Sequence, residues 1–192
     1  MLDRIHQIPA VLLGADDYLD DFWPSYRRTD DVVWKLQRVQ GFDAAAGPGA
    51  LVQGDWERSL KLAGDGRAAA AGFARRRLRI VEPCITSYLR WEMHVLASRG
   101  QVREEVRVLA AQQVADLEID RRLPELVVLG TSVMYEVTYD ALGAHSGARR
   151  IDDQGVIAAC RGELDKLFAA GETLEGYYER EIVPLTAPRV PT

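Results

Sequence analysis

The chain has 192 residues, of which 47% are hydrophobic and 28% are charged. This balance excludes an intrinsically disordered chain, which would be less apolar, and a membrane-embedded chain, which would be less charged. The 24 basic and 29 acidic side chains give a net charge of −5, which argues against nonspecific binding to nucleic acids or anionic membranes. The length predicts one domain over residues 1–192.

The cysteines and the N-terminus indicate the compartment. Two cysteines, Cys84 and Cys160, are too few for a disulfide scaffold. No apolar run follows a basic start, so no signal peptide is predicted. No apolar stretch approaches the roughly 20 residues that cross a bilayer. We therefore expect a cytoplasmic protein that does not contact a membrane.

The charge is unevenly distributed along the chain. Residues 1–31 carry −4 and residues 108–192 carry −6, whereas residues 67–107 hold nine arginines against four glutamates, a balance of +5. The basic segment either packs against acidic parts of the same molecule or binds an anion or a nucleic acid through the strip Arg75, Arg76, Arg77 and Arg79. We favour internal pairing, and do not expect nucleic-acid binding, because no interleaved aromatic residues or nucleic-acid module accompany the strip.

The N-terminal part of the chain predicts a mixture of helices and one strand. A helix begins at Asp16 and is expected to be interrupted or kinked at Pro24. Residues 32–42 are rich in β-branched and aromatic side chains and predict a strand. A loop punctuated by glycine and proline then precedes a helix from about Asp55, and a further alanine-rich helix is expected to run into Arg77.

The clearest pattern begins within the basic segment. Residues 79–81 predict a strand that Pro83 ends. Thr86 then caps a helix that continues to Arg99. Residues 106–109 predict the next strand, which a short helix follows.

The C-terminal part predicts a strand pair and two helices. Residues 126–129 and 133–139 read as paired strands, and a glycine turn over 143–147 follows them. Asp152 or Asp153 starts a helix with one apolar face, and a last helix carries Leu174. One face of the second strand is expected to be solvated, and it is formed by Glu136, Thr138 and Asp140.

This order of elements predicts a mixed α/β fold, in which a small mixed sheet is flanked by helices. The α/β core covers residues 78–185. Residues 1–66 form a more irregular α+β portion, and residues 186–192 form a flexible tail.

Cys84 lies between the end of a strand and the start of a helix. A helix N-terminus lowers the pKa of a thiol, so a reactive thiolate is one interpretation. A nucleophile also needs a base, and the sequence assigns none. We favour a packed, small apolar residue. Cys160 lies on the apolar face of its helix and is predicted to belong to the core.

Polar and aromatic side chains are densest on the helix that follows Thr86. Arg90 and His94 share one helix face, and Tyr88 and Glu92 share another. In a pocket, Arg90 would bind an anion and Glu92 or His94 would transfer protons. The alternative, which we favour, is a buried Arg–Glu pair that orients the helix against the sheet. The candidate ligand-binding residues are Arg79, Cys84, Tyr88, Arg90, Glu92 and His94.

The sequence lacks the common motifs for cofactors and metals. It contains no Walker-type loop, no G-x-G-x-x-G and no G-x-S-x-G element. Its three histidines have no zinc-ligand spacing. We expect no cofactor and no metal site.

Several motifs from the basic strand onward occur together in one family. Residues 79–83 (RIVEP), 86–92 (TSYLRWE), 105–107 (EVR) and 139–143 (YDALG) resemble the "RVRVV-x-PL", "YxRxE", "GE-x-(V/I)R" and "YDxxG" motifs of the domain-of-unknown-function family numbered 6879. The resemblance extends over most of the chain. It departs from the family at residues 125–130 (ELVVLG), where many members have "DFWLFD".

The resemblance implies an actinobacterial protein with no established activity. Members of this family are often encoded beside helix-turn-helix regulators. The order of strands and helices is also similar to half of a phospholipase-D-like fold, whose chemistry needs a histidine followed two positions later by lysine. That motif is missing, because His6, His94 and His145 are followed two positions later by Ile8, Leu96 and Gly147.

The leading hypothesis is a non-enzymatic regulatory or protein-interaction protein whose partner is a helix-turn-helix, DNA-binding regulator. It rests on the resemblance and on the missing catalytic motifs. The alternative is a small-molecule-binding protein or enzyme with a pocket around Arg90, Glu92 and His94. A third hypothesis is nucleic-acid binding through residues 75–79, which would depend steeply on salt.

Overall fold

The computed structural model describes residues 1–40, 74–98, 104–141 and 143–185. The strands are Val11–Gly14 (β1), Val33–Gln37 (β2), Arg75–Val81 (β3), Glu104–Ala110 (β4), Glu125–Leu129 (β5), Val133–Tyr139 (β6), His145–Ile151 (β7) and Glu172–Thr173 (β8). They form one sheet in the order β1-β7-β6-β5-β2-β3-β4-β8. β2, β3 and β4 are mutually parallel, and the other pairs are antiparallel.

The helices of the described residues are Ala15–Arg28 (α1), Ser87–Ser98 (α2), Gln154–Ala170 (α3) and Leu174–Tyr177 (α4), with a π-helical turn at Tyr178–Ile182 and 3-10 helices at Leu2–Gln7 and Ala111–Leu117. Two predicted helix starts are confirmed by their caps. The Thr86 hydroxyl accepts the amide of Leu89 at 3.1 Å, and the Asp153 carboxylate accepts the amide of Val156 at 3.0 Å. With the mixed sheet, these helices confirm the mixed α/β class.

Helices cover both faces of the sheet. On one side, called here the α3 face, α3 packs against a large core that includes Trp34, Leu78 and Leu126. The opposite side, called here the α1/α2 face, carries two smaller cores. One joins α1 to β5, β6 and β7, and the other joins α2 and α4 to β3 and β4. The central strands β2 and β3 contribute Val33 and Val81 to these two cores, and their remaining side chains on this side lie between the cores, in the middle of the α1/α2 face.

Two predictions about local structure are wrong. Residues Arg75–Arg77 belong to β3 rather than to the end of a helix. The expected turn over 143–147 already contains the start of β7. The sequence analysis did not anticipate β1. Pro24, which was expected to interrupt or kink α1, does not interrupt the helix, which continues to Arg28. Proline has no N–H group, so the carbonyl of Asp20 loses its helical hydrogen-bond donor. Pro24 and Asp20 are both exposed, so water can donate to that carbonyl instead.

The polar side chains of β6 are not all solvated, contrary to expectation. Glu136 is buried on the α3 face and pairs with Arg149. The same guanidinium donates to the carbonyl of Ile5 at 3.2 Å and to that of Ile8 at 2.5 Å. The pair therefore ties the N-terminal 3-10 helix to the sheet. These hydrogen bonds also offset the cost of burying the ion pair.

β1 can approach β7 only because residue 147 is glycine. Gly147 has a φ of +136°, and a Cβ atom there would lie 2.0 Å from the carbonyl oxygen of Leu13. In the sheet register it faces Gly14. The pairing that completes this edge of the sheet therefore depends on a backbone contact that tolerates no side chain.

Some predictions fall outside the described residues. These are the loop and the helix expected from about Asp55, the alanine-rich stretch before Arg75, the helix end at Arg99 and the tail 186–192. Among the described residues, no helix combines the length and hydrophobicity needed to cross a membrane.

Candidate functional site

The middle of the α1/α2 face is charged. A parallel strand in the centre of a sheet is normally apolar on both faces. β3 follows this pattern only on the α3 face, where Leu78 and Ile80 join the core. Because side chains alternate along a strand, Arg75, Arg77 and Arg79 face the other way, towards α1 and α2. The sequence RRRLR thus places three arginines on one face of an interior strand.

Arg79 is the innermost of these arginines and is fully buried. Its Nε donates to Glu92 Oε2 at 2.9 Å, and its Nη2 donates to the carbonyl of Val39 at 2.6 Å. Glu92 is also buried and extends from α2. A buried Arg–Glu pair therefore orients α2 against the sheet, and its arginine comes from β3 rather than from α2 itself.

A second carboxyl group and two phenols lie near Arg79. Glu125 is buried and accepts the backbone amides of Arg38 and Val39, the latter at 2.6 Å. Burial raises the pKa of this carboxyl, and the charge of Arg79 opposes that shift. Burial also raises the pKa of Tyr88 and of Tyr139, with nearby carboxylates adding to it, so both phenols stay neutral. Arg79, Glu92 and Glu125 in this inner part of the site therefore all have hydrogen-bond partners within the molecule.

A basic group lies further along the same face. Arg77 donates to Glu104 Oε1 at 2.8 Å and to Gln37 Oε1 at 2.5 Å. Lys35 is half-buried, and burial, followed by the charge of Arg77, lowers its pKa to about 8. Arg75 is half-buried too, and its Nε is enclosed without a hydrogen-bond partner in the part of the chain that the structure describes. The sequence analysis did not single out Lys35, although its alternation with Trp34 and Leu36 places it on the charged face.

Arg90 and His94 lie on another face of α2 from Glu92. Arg90 Nη2 donates to the carbonyl of Leu185 at 2.7 Å. His94 Nδ1 lies 2.7 Å from the hydroxyl of Tyr178, and burial, followed by the charge of Arg90, lowers the pKa of the imidazole. Both side chains thus hold the C-terminal segment against α2. Within the described residues, the structure brings Glu92 together with Arg79 and Tyr88, and not with Arg90 and His94.

The two cysteines have different environments. Cys84 is exposed in the turn after β3, so the prediction that it is a packed, apolar residue is wrong. Its carbonyl accepts the side-chain amide of Gln40 at 2.8 Å. Cys160 is buried in the core under α3, and burial raises the pKa of its thiol to about 12. The prediction that Cys160 belongs to the core is confirmed.

An ionic cluster that the sequence analysis missed closes the end of β2. Arg38 is buried and donates to both carboxylate oxygens of Glu118, at 2.7 and 2.8 Å, and to Glu82 at 2.6 Å. Gln40 extends the link by bonding the residues that follow β3. These contacts fasten the ends of β2 and β3 to each other. The partners are 44 and 80 residues apart along the chain, which is why no local pattern indicates them.

The basic strip is divided by the alternation of β3. Arg76 faces α3, where its guanidinium lies 5.2 Å from the ring centre of Trp34 and pairs with Asp165 at 3.0 Å. Arg77 and Arg79 pair with Glu104 and Glu92 on the other face. Three of the four arginines therefore have an acidic partner within the molecule. Only Asp165 belongs to an acidic end of the chain, as the favoured interpretation expected, whereas Glu92 and Glu104 belong to the basic segment itself. In the described ranges, no three His, Cys, Asp or Glu side chains are grouped so as to hold a metal ion.

Comparison with known proteins identifies the family. The model of the family described as "Domain of unknown function (DUF6879)" matches residues 20–179. The chain belongs to this family. No curated protein matches the chain. Among solved structures, the protein named NucT from Helicobacter pylori aligns over 86% of this chain and 98% of its own, at 7% identity and a TM-score of 0.49.

Proposed function

We propose that this DUF6879 protein is a non-enzymatic regulatory protein that acts by binding another protein, and that the open edge of β1 is its binding surface. The observation that carries the proposal is the edge itself. β1 is the last strand of the sheet and pairs only with β7 among the described strands. Its side chains Val11 and Leu12 are 56% and 77% exposed.

The β1 edge lacks the protection that natural sheet edges usually have. Soluble proteins protect edge strands with charged residues, prolines or bulges, because an open edge can pair with a strand of another molecule. The opposite edge follows this rule, since β8 has only two residues and its Glu172 pairs with Arg180 at 2.6 Å. β1 has the apolar sequence VLLG instead. Its outer edge pairs with no other described strand, and the amide and carbonyl groups there suit the addition of a strand from a partner.

The charge around this edge favours a basic partner. Residues 1–31 carry a net charge of −4, and Asp16, Asp17 and Asp20 at the start of α1 are exposed. Opposite charge on a partner accelerates association and selects against acidic competitors. The DNA-binding surface of a helix-turn-helix regulator is basic, and the gene neighbourhood typical of the family supports such a partner. Support for a non-enzymatic role comes from the missing His-x-Lys pair and from the paired state of the groups around Arg79.

The proposal is tested by measuring direct binding between the full chain and the helix-turn-helix regulator encoded nearest to its gene. We expect a 1:1 complex. The double variant Val11→Lys/Leu12→Lys should bind about tenfold more weakly or worse, because lysines at an edge oppose strand pairing. The matched control is Ile119→Lys, at an 83% exposed apolar residue outside the strands. Thermal unfolding verifies that all variants fold. A complex that tolerates the double substitution, or no complex at all, would contradict the proposal.

A further inference from the structure

We propose that the α1/α2 face binds a small phosphate-bearing ligand through Lys35, Arg75 and Arg77. This inference does not depend on the proposed function, since the cations lie on the sheet face and not at the β1 edge.

The first argument is the position of the three cations. β2 and β3 are parallel neighbours, and their register places Lys35 beside Arg77 and Val33 beside Arg75. Strands paired in this way lie about 4.8 Å apart. Lys35, Arg75 and Arg77 occupy alternate positions that share the α1/α2 face. Three positively charged side chains of two adjacent strands are therefore crowded together in the middle of the sheet.

The second argument is the shortage of acidic partners. Within the described residues, the one carboxylate paired with this group is Glu104, which bonds Arg77 at 2.8 Å. Glu92 is the next acid whose charge reaches Lys35, and it is already paired with Arg79 at 2.9 Å. No ion pair or hydrogen bond to Lys35 or Arg75 is found in the described part of the chain. Counted over the described residues, the group therefore has about two unbalanced positive charges.

The third argument is burial. Unpaired charges are tolerated on an exposed surface, but they are costly where water is partly excluded. Lys35 and Arg75 are half-buried, and the Nε of Arg75 is an enclosed donor without an acceptor. The lowered pKa of Lys35 is the result expected of a cation that is desolvated beside other cations. An anion would supply both the missing charge and the missing acceptor.

The size and charge of the group indicate which anion. A phosphate monoester carries about −1.5 to −2 charges at neutral pH, which matches the imbalance. Guanidinium groups bind phosphate oxygens through paired N–H donors, and an ammonium adds a point charge. A polynucleotide needs an exposed basic stripe instead. Here the cations are recessed, and the adjoining Arg76 points to the opposite face of the sheet, so a small ligand fits better.

Binding is measured by titration calorimetry of the full chain with inorganic phosphate and, separately, with adenosine monophosphate. We expect saturable 1:1 binding that Lys35→Met and Arg75→Met each weaken at least tenfold. The matched control is Arg76→Met, which changes the neighbouring arginine of the same strand on the other face and should leave binding unchanged. Thermal unfolding without phosphate shows that each variant folds. Lys35→Met should fold, because it removes a charge that has no partner in the part of the chain that the structure describes.

The outcomes separate the possible ligands. Binding of both probes identifies phosphate as sufficient, and binding of the nucleotide alone assigns the site to a larger phosphate ester. Either result supports the inference when Lys35→Met weakens that binding by the expected factor. Absence of saturation at phosphate concentrations on the order of 10 mM for both probes overturns it. Equal weakening of binding by Arg76→Met also overturns the inference. So does tight, salt-sensitive binding of a single-stranded oligonucleotide that phosphate does not displace, because that result would indicate a nucleic-acid surface.

Discussion

Replacing Lys35 with methionine should change how the free energy of unfolding depends on pH. In the folded protein, burial and the charge of Arg77 lower the pKa of Lys35 from 10.5 to about 8. At pH values between these two pKa values, the unfolded chain therefore keeps the Lys35 side chain protonated to a greater extent than the folded chain does. Stability rises with pH wherever the unfolded state binds more protons, so the lysine costs stability below pH 8 and that cost is relieved as the pH rises.

The size of the effect follows from the shift in pKa. Each pKa unit corresponds to about 1.4 kcal/mol, so the wild-type protein should gain about 2 kcal/mol from this group between about pH 7 and about pH 9.5. Methionine keeps most of the apolar stem of Lys35 and carries no proton. The variant should lack this gain, and near neutral pH it should be at least as stable as the wild type.

The assay is urea unfolding followed by tryptophan fluorescence in phosphate-free buffer at the two pH values. Other groups titrate in this range, so the quantity of interest is the difference between wild type and variant. Lys166→Met is the control, because Lys166 is exposed on α3, and it should follow the wild-type pH dependence. Parallel curves for the wild type and Lys35→Met would refute the reasoning, since they would mean that the Lys35 ammonium is solvated or paired.

Three further substitutions test the packing of the fold by urea or thermal unfolding. Arg79→Met should lower the free energy of unfolding by roughly 3–5 kcal/mol, because it leaves Glu92 buried without its partner. The double variant Arg79→Met/Glu92→Leu should recover much of that stability. A double variant no more stable than the single one would contradict this. Asp153→Ala should cost about 1 kcal/mol through loss of the α3 cap, and an unchanged unfolding midpoint would argue against the cap. Gly147→Ala should cost more than about 2 kcal/mol and speed amide exchange in β1, because the new methyl group would collide with the carbonyl of Leu13; protected β1 amides would contradict it.

The sequence predicted best the elements whose pattern is local. α3 has a cap at Asp153 and a regular apolar face, and the structure has both. The β5 and β6 pair was also predicted, because each strand is a short apolar run and Gly130 lies between them with a φ of +55°. In these cases, the signal for the element lies within the element itself.

The strands that were missed are specified by their neighbours. β7 has the sequence HSGARRI, in which a glycine and two arginines hide the alternation of a strand. Its Arg149 is explained only by Glu136 on β6, and its Gly147 only by the close approach of β1. β1 has four residues, too few for a pattern to emerge. Such strands depend on tertiary contacts rather than on intrinsic preference.

The candidate site was predicted in part for the same reason. Tyr88 and Glu92 were singled out from the dense polar stretch of α2 and Arg79 from the basic strip, and the structure brings the three together. Counting the arginines as a continuous strip concealed the more informative fact, which is that alternation sends Arg76 to the opposite face. Lys35 belongs to the group although 40 residues separate it from Arg75 in the sequence.

The α1/α2 side of β3 is charged, whereas an interior parallel strand is usually apolar on both sides. The charges on this side differ in whether they are paired. Arg79 and Arg77 each have a carboxylate, as a purely structural arrangement requires. If stability alone had shaped this face, Lys35 and Arg75 would be paired or apolar as well, because unpaired buried charge lowers stability without any structural gain. Local choices that oppose the fold are expected where a protein binds something. The members of the group that have no partner among the described residues, and not the arginine content as a whole, are therefore the strongest indication of a ligand on this face.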